Sequence, residues 1–356
     1  MALERFAAIE DATAVERLRG AGATIVGSAR MAELGFGLAG DTTARAVAEG
    51  RCDAGLMTDT MGEARLAASK AGLLGFKPSY GIVSRFGLIG LVPSMECYGI
   101  VARTTDDVAA MMAAMAGPDE RDFSMLHSAP LDFTNLSAER NSPVVAGAIS
   151  ECTEALEPLE AKAFRAALST LEAAGVRVEE VSMPDFDLFR TVHNVVGSTE
   201  ASSSAGKYDG VRYGHRAEGA ENWNELYLKS RGESFGILVK TYLFQGAYFQ
   251  FENYGAFENA CRIRRRLVER TKALLEKVDV LVCPTRRRNR DAFAATTVEE
   301  VYDAFALALP ANVTGQPSLS IPGFMGNGAN DLGLQFVGPH LGDMRLLSLA
   351  ARVTRT

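Results

Sequence analysis

The segment over residues 144–181 constrains the architecture more than any other part of the chain. Val144-Val-Ala-Gly-Ala-Ile149 reads as a buried strand, residues 161–174 as a helix, and Val176–Val181 as a second strand. A strand, a packed helix and a returning strand form one right-handed crossover unit. The segment therefore predicts an α/β chain with a largely parallel or mixed sheet and helices packed against it. Strand-like runs also stand at 23–26, 54–57 and 278–282, and helices read over 9–21, 31–34, 44–49 and 256–276. The clearest helix spans 104–117, with a threonine cap, Asp106 and Asp107 in the first turn, and a closing glycine. Its Met111, Met112 and Met115 read as core packing. Residues 119–143 read as a polar loop, and no linker or repeat divides the chain, so a single domain over 1–356 is expected.

Composition narrows the chemistry. A chain of 356 residues with 47% hydrophobic side chains can bury one large α/β core. A net charge of −7 does not favour a polyanion partner, although local patches can differ from the sum. Cys52, Cys97, Cys152, Cys261 and Cys283 are scattered, which reads as reduced thiols and neither a disulfide framework nor a zinc site. His127, His193, His215 and His340 lack metal-ligand spacing, and no glycine pattern forms a dinucleotide or phosphate loop. Neither a metal nor a cofactor is expected. No apolar run reaches the roughly 20 residues of a spanning helix, so no membrane insertion is expected. Residues 1–12 read as neither a signal peptide nor a transit peptide.

The stretch over 58–88 carries a motif. Asp59, Thr60, Gly62, Arg65, Gly75, Lys77, Pro78, Tyr80, Gly81, Ser84, Arg85 and Gly87 stand in a pattern that resembles the amidase signature family. In that family an Asp-Thr-Gly-Gly-Ser-Ile-Arg turn precedes a Gly-hydrophobic-Lys-Pro-Thr-Tyr-Gly segment. Residues 200–216 and 227–236 resemble, more narrowly, the A subunits of glutamyl-tRNA(Gln) amidotransferases, while the closing segments 310–322 and 333–338 resemble the family's closing motifs. The resemblance implies the amidase-signature fold, a mixed central β-sheet covered by helices on both faces. The match begins inside the family's domain, so the fold is expected with its N-terminal part missing.

The resemblance also sets expectations for the site. The family's nucleophilic serine aligns with Glu63 and its bridging serine with Ala39. Its catalytic lysine belongs to an upstream segment, and no lysine precedes Lys70. The family's substrate-holding arginine aligns with Thr241 or Tyr242, and its acid with Phe305. No catalytic or substrate-binding residue is therefore assigned, and the chain is expected not to be an enzyme. Its role is then that of a structural or interaction subunit in a larger assembly, such as a mitochondrial ribonucleoprotein or respiratory complex. The alternatives are a non-catalytic accessory subunit of an active amidotransferase, or a small-molecule sensor using a remodelled pocket. Glu63 itself reads either as an acid or base, or as a group paired with Arg65 or a nearby backbone amide. Protein subunits are the expected partners. Arg286, Arg287, Arg288 and Arg290 are candidate contacts to acidic protein or RNA, whereas Arg264, Arg265 and Arg266 read as solvent-facing or paired with acids such as Glu269. The mitochondrial matrix is favoured over the cytoplasm.

Overall fold

The computed structural model describes residues 2–3, 6–40, 42–126, 131–134, 143–288, 290–325 and 331–354. The first third holds helix α1 (Thr13–Gly20), helix α2 (Thr42–Ala48), strand β1 (Ala54–Thr58), helix α3 (Glu63–Ala71), strands β2 (Leu74–Lys77) and β3 (Tyr98–Ala102), and helix α4 (Thr105–Met115). The crossover unit follows as strand β4 (Val144–Ile149), helices α5 (Ser150–Glu154) and α6 (Pro158–Ala173), and strand β5 (Val176–Val181). Next come helices α7 (Phe186–Ser204), α8 (Trp223–Ser234), α9 (Ile237–Ala247) and α10 (Tyr254–Leu275). The chain then forms strand β6 (Val280–Pro284), helices α11 (Val298–Phe305) and α12 (Leu309–Thr314), strands β7 (Ser318–Ile321) and β8 (Leu334–Val337), and helix α13 (Asp343–Val353).

These strands form one eight-stranded sheet in the order β1-β3-β2-β7-β8-β6-β4-β5. β4 pairs in parallel with both β5 and β6, as the crossover requires, and the remaining pairs are antiparallel. Central strands β2, β3, β6, β7 and β8 are buried along their whole length, and the polar residues they carry, Lys77, Ser318, Ser320 and Gln335, are buried with them. Side-chain direction still alternates. On β6, Val280 and Val282 join the core that holds Phe164 of α6 and Leu346 of α13, whereas Leu281 and Cys283 join the core that holds Tyr242 of α9 and Leu309 of α12. Helices thus cover both faces of a mixed sheet.

Local differences from the sequence expectations have physical causes. α4 starts where expected because Thr104 and Asp107 form a reciprocal capping box. α6 starts earlier than 161, since Glu157 and Glu160 build a capping box and Pro158 occupies the first turn. β6 starts later than 278 and runs on to Pro284, which ends its pairing with β8. Residues 23–26 form no strand: Ile25 and Val26 are 45% and 68% exposed, and β1 at that edge of the sheet pairs only with β3. The second short helical piece is a single tight turn, Glu33–Gly35. Of the polar loop, residues 127–130 and 135–142, and with them His127, lie outside the described residues.

Candidate active site

The site grows from the end of β1. Asp59 leaves the strand, its N–H donating to the Cys97 carbonyl at 2.8 Å, and the turn over 59–62 delivers the chain into α3. Gly62 holds the turn at φ +123°, where a Cβ would meet the Ala308 methyl at 2.4 Å. Only glycine fits there.

Arg65 locks the turn from below. Its guanidinium meets the Asp59 carboxylate with two bonds, Nε to Oδ2 at 3.1 Å and Nη2 to Oδ1 at 2.8 Å. Nη2 also donates to Asn312 Oδ1 at 2.6 Å, and Nη1 to Gln335 Oε1 at 2.6 Å and the Ala308 carbonyl at 3.0 Å. Asn312 Nδ2 returns a bond to the Asp59 carbonyl at 2.7 Å. Both members of the ion pair are fully buried, so this multiple satisfaction is what makes the pair tolerable.

Above this base the turn forms a cradle. The backbone N–H groups of Thr60, Met61 and Gly62 all donate to one oxygen, Glu63 Oε2, at 2.7, 2.8 and 3.2 Å. The other oxygen, Oε1, is buried and has no hydrogen-bond partner. Burial, followed by the nearby Asp59 carboxylate, pushes Glu63 up to about 8, against the backbone amides of Met61, Glu63 and Thr60, which favour its anion. At neutral pH the group is therefore mainly the neutral acid. Its proton belongs on Oε1, the oxygen free of amide donors.

A second element fixes the cradle. His193 on α7 reaches the Thr60 carbonyl through Nε2 at 2.9 Å and the Tyr302 hydroxyl through Nδ1 at 2.9 Å. Burial drives His193 down to about 4, so the ring is neutral. A carbonyl only accepts, so Nε2 carries the proton and Nδ1 accepts from Tyr302. Tyr302 Oη then accepts from Tyr242 Oη at 3.0 Å. The Thr60 carbonyl and the Met61 N–H share one peptide plane and point opposite ways. By holding the carbonyl, His193 aims the Met61 N–H at Glu63. Leu34, Phe36, Met61, Leu91, Val92 and Tyr242 close the rest around a cavity of about 10 Å³, close to the room of one water molecule.

The structure brings together two of the residues singled out in the sequence, Glu63 and Tyr242. Ala39 is exposed in the loop before α2. Thr241 faces outward on α9 and bonds the Ile237 carbonyl at 2.9 Å. Phe305 is fully buried at the end of α11, within the helical core. The arginines at 286–290 do not present one surface. Arg286 donates to the Asp331 carbonyl at 2.6 Å and Arg287 is half-buried, while Arg288 and Arg290 are exposed. Arg265 pairs with Glu269 at 2.9 Å as expected, but Arg264 turns inward to Ser94 and the Val313 carbonyl. His193 and Tyr302 escaped the sequence reading, which tested histidines only for metal spacing. The available signal was helical spacing, since Phe186, Phe189 and Val196 mark the face of α7 on which His193 lies. Among the described residues no group of three His, Cys, Asp or Glu side chains is arranged to hold a metal ion. No described helix is long and apolar enough to cross a membrane.

Comparison with known proteins places this geometry. The amidase family model matches residues 43–347. The A-type subunit of glutamyl-tRNA(Gln) amidotransferase from Thermosynechococcus vestitus is 32% identical, over 99% of this chain and 79% of that protein. Its mitochondrial counterpart from Anopheles gambiae is 33% identical, over 98% of this chain and 78% of that protein. Among solved structures, the same amidotransferase component from Thermotoga maritima superposes with a TM-score of 0.79 at 26% identity, covering 99% of this chain and 78% of that one. A 6-aminohexanoate cyclic dimer hydrolase shares the fold, with a TM-score of 0.79 at 20% identity over 98% of this chain and 78% of that one. These matches overturn the expectation that the chain is not an enzyme. That expectation weighed the side chains at 39, 63, 241, 242 and 305 and the absence of a lysine before Lys70, whereas the relatives belong to amidotransferases and the family model is that of amidases. The turn with its amide cradle, the mixed sheet beneath it and the match across residues 43–347 make the chain a member of the amidase family.

Proposed function

We propose that this chain is an A-type, amide-handling subunit of a multi-protein amidotransferase-like assembly. The observation that carries the reading is the convergence of the Thr60, Met61 and Gly62 amides on one oxygen position. Donors at these distances are what an amide carbonyl needs as it gains negative charge, and in a buried site they need no reorganisation. The assembly half of the reading draws on the relatives, which are named as subunits. It also draws on an exposed apolar face. On α9 and the turn that follows, Ile237, Phe244, Tyr248 and Phe251 fall at spacings of seven, four and three, so they share one side of the helix. They are 78%, 75%, 52% and 74% exposed. Aromatic rows of this kind mark partner contacts more often than free surface. A protein partner is favoured over RNA, because Arg286 is already committed and only Arg288 and Arg290 face solvent. The mitochondrial matrix enters the proposal through the relatives from Anopheles gambiae and Aedes aegypti, which are named as mitochondrial.

The test is affinity purification of the tagged full chain from its native cells, followed by native mass spectrometry and an ammonia-release assay with glutamine and asparagine. The reading expects a stable hetero-complex that releases ammonia above the blank, at a rate altered by Glu63→Gln. A chain that runs alone overturns the assembly half. A complex without amide turnover overturns the amide-handling half.

A further inference from the structure

We infer that residues 32–40 form a lid over the cavity at Glu63, plugged by Phe36 and latched by Glu33. The inference rests on reading that cavity as the working site, but its test reads access alone and needs neither a partner nor turnover.

The cavity of about 10 Å³ has room for one water molecule, and Leu34, Gly35 and Phe36 are part of its lining. A larger ligand reaches Glu63 only if part of that lining moves. Most of the remaining lining is held firmly: Thr60, Met61 and Glu63 belong to the turn fixed by Arg65, His193 to α7 and Tyr242 to α9. Residues 32–40 are held differently. Among the described residues, the N–H groups of Gly35 and Phe36 bond within the segment's own tight turn, and a single hydrogen bond ties the segment to the rest of the chain. That bond runs from the Gly236 N–H, just ahead of α9, to Glu33 Oε2 at 2.8 Å.

The latch is half-made, since Glu33 Oε1 is buried with no hydrogen-bond partner and would gain one in water. Beside it Leu34 sits at φ +52° and ψ +24°, a left-handed conformation that a leucine adopts only under strain. What keeps the segment shut is then chiefly Phe36. Its ring is 6% exposed and stacks on Tyr242, with centroids 4.1 Å apart and planes inclined by 17°. Gly37 and Gly40, at φ +80° and +92°, follow the plug and supply a backbone free to swing. A strained segment with one external bond and one plug opens at lower cost than a packed helix or a cross-linked turn. Lifted, it bares the face of the Tyr242 ring.

Labelling of the thiol introduced by Phe36→Cys with N-ethylmaleimide, followed peptide by peptide in a mass spectrometer, tests this. Cys97, Cys152 and Cys283 are buried in the same molecule and report global unfolding. The thiol at 36 should label at least about tenfold faster than those three. Adding Glu33→Ala should speed it by a further fivefold or so and leave the three unchanged. Should Phe36→Cys fail to fold, Glu33→Ala alone is compared with the wild type by hydrogen exchange. The amide of the cavity-lining Met61 should then exchange about fivefold faster, with the amides of β6 unchanged. The inference falls if the thiol at 36 labels no faster than the three buried cysteines, or if removing Glu33 leaves its rate unchanged. It also falls if removing Glu33 speeds every site together, or if Met61 exchange shifts only with that of β6 or not at all.

Discussion

Arg65 and Glu63 are neighbours on one turn of α3, both almost fully buried, and they meet burial in opposite ways. Every guanidinium nitrogen of Arg65 is bonded, to groups on the turn, on α12 and on β8, so the charge ties distant parts of the chain together. Glu63 draws all its bonds from the backbone just before it and leaves one oxygen unpartnered. A saturated buried charge is structural scaffolding. A half-satisfied buried carboxyl group beside a cavity marks a candidate site rather than a strut of the fold.

The strongest way to break that contrast is Arg65→Met. It leaves Asp59 as an unpaired buried carboxylate and strips bonds from Asn312 and Gln335, so a loss of about 3–5 kcal/mol is expected in urea unfolding. Glu63→Gln keeps an oxygen in the cradle and should cost only about 1 kcal/mol. Equal losses from the two substitutions would erase the distinction between scaffold and site.

The second test uses pH. Glu63 holds its proton up to about pH 8 when folded but only to about 4.5 when unfolded. Its folded value is raised, so its contribution to stability is complete below about 4.5 and fades as pH rises through about 8. The stability of the wild type minus that of Glu63→Gln, from urea melts between about pH 5 and pH 9, should therefore fall steadily. His193 works in the other direction, losing stability as pH falls from 6.5 toward about 4, but it is present in both proteins and cancels in the difference. A flat difference would mean that the three amides outweigh burial and that Glu63 sits in the cradle as an anion.

The same contrast explains what the sequence could reveal. The crossover from β4 to β5 was legible because pairing strands, caps and a packed helix lie close together in the chain. The run at 23–26 was not, since an apolar run says nothing about whether a neighbouring strand exists to pair with it. Asp59, Gly62 and Arg65 were legible through the signature pattern. The cradle was not, because its donors are backbone N–H groups that any residue supplies. The His193, Tyr302 and Tyr242 chain joins three helices across separations of 109 and 60 residues, with no local pattern to betray it. The expectation of a chain without enzymatic function counted missing side chains, and it is overturned by the match to the amidase family and to amidotransferase subunits.

The smallest expected effect on stability comes from the outer face of α9. Phe244 is 75% exposed, so Phe244→Ala removes little buried area and should change unfolding free energy by no more than about 0.5 kcal/mol. Its effect on partner retention should be far larger. An aromatic side chain at the centre of an interface typically costs more than about 1 kcal/mol when truncated, a loss of about fivefold or more in affinity. Competitive pull-down of wild-type and Phe244→Ala chains from one extract measures the ratio directly. Together with Arg65→Met, the result separates two kinds of constraint: Arg65 holds the chain to itself, and Phe244 holds it to something else. Equal recovery of the two chains would remove α9 from the partner face and shift the search to the aromatic positions of α8, Trp223 and Tyr227, which are 60% and 38% exposed.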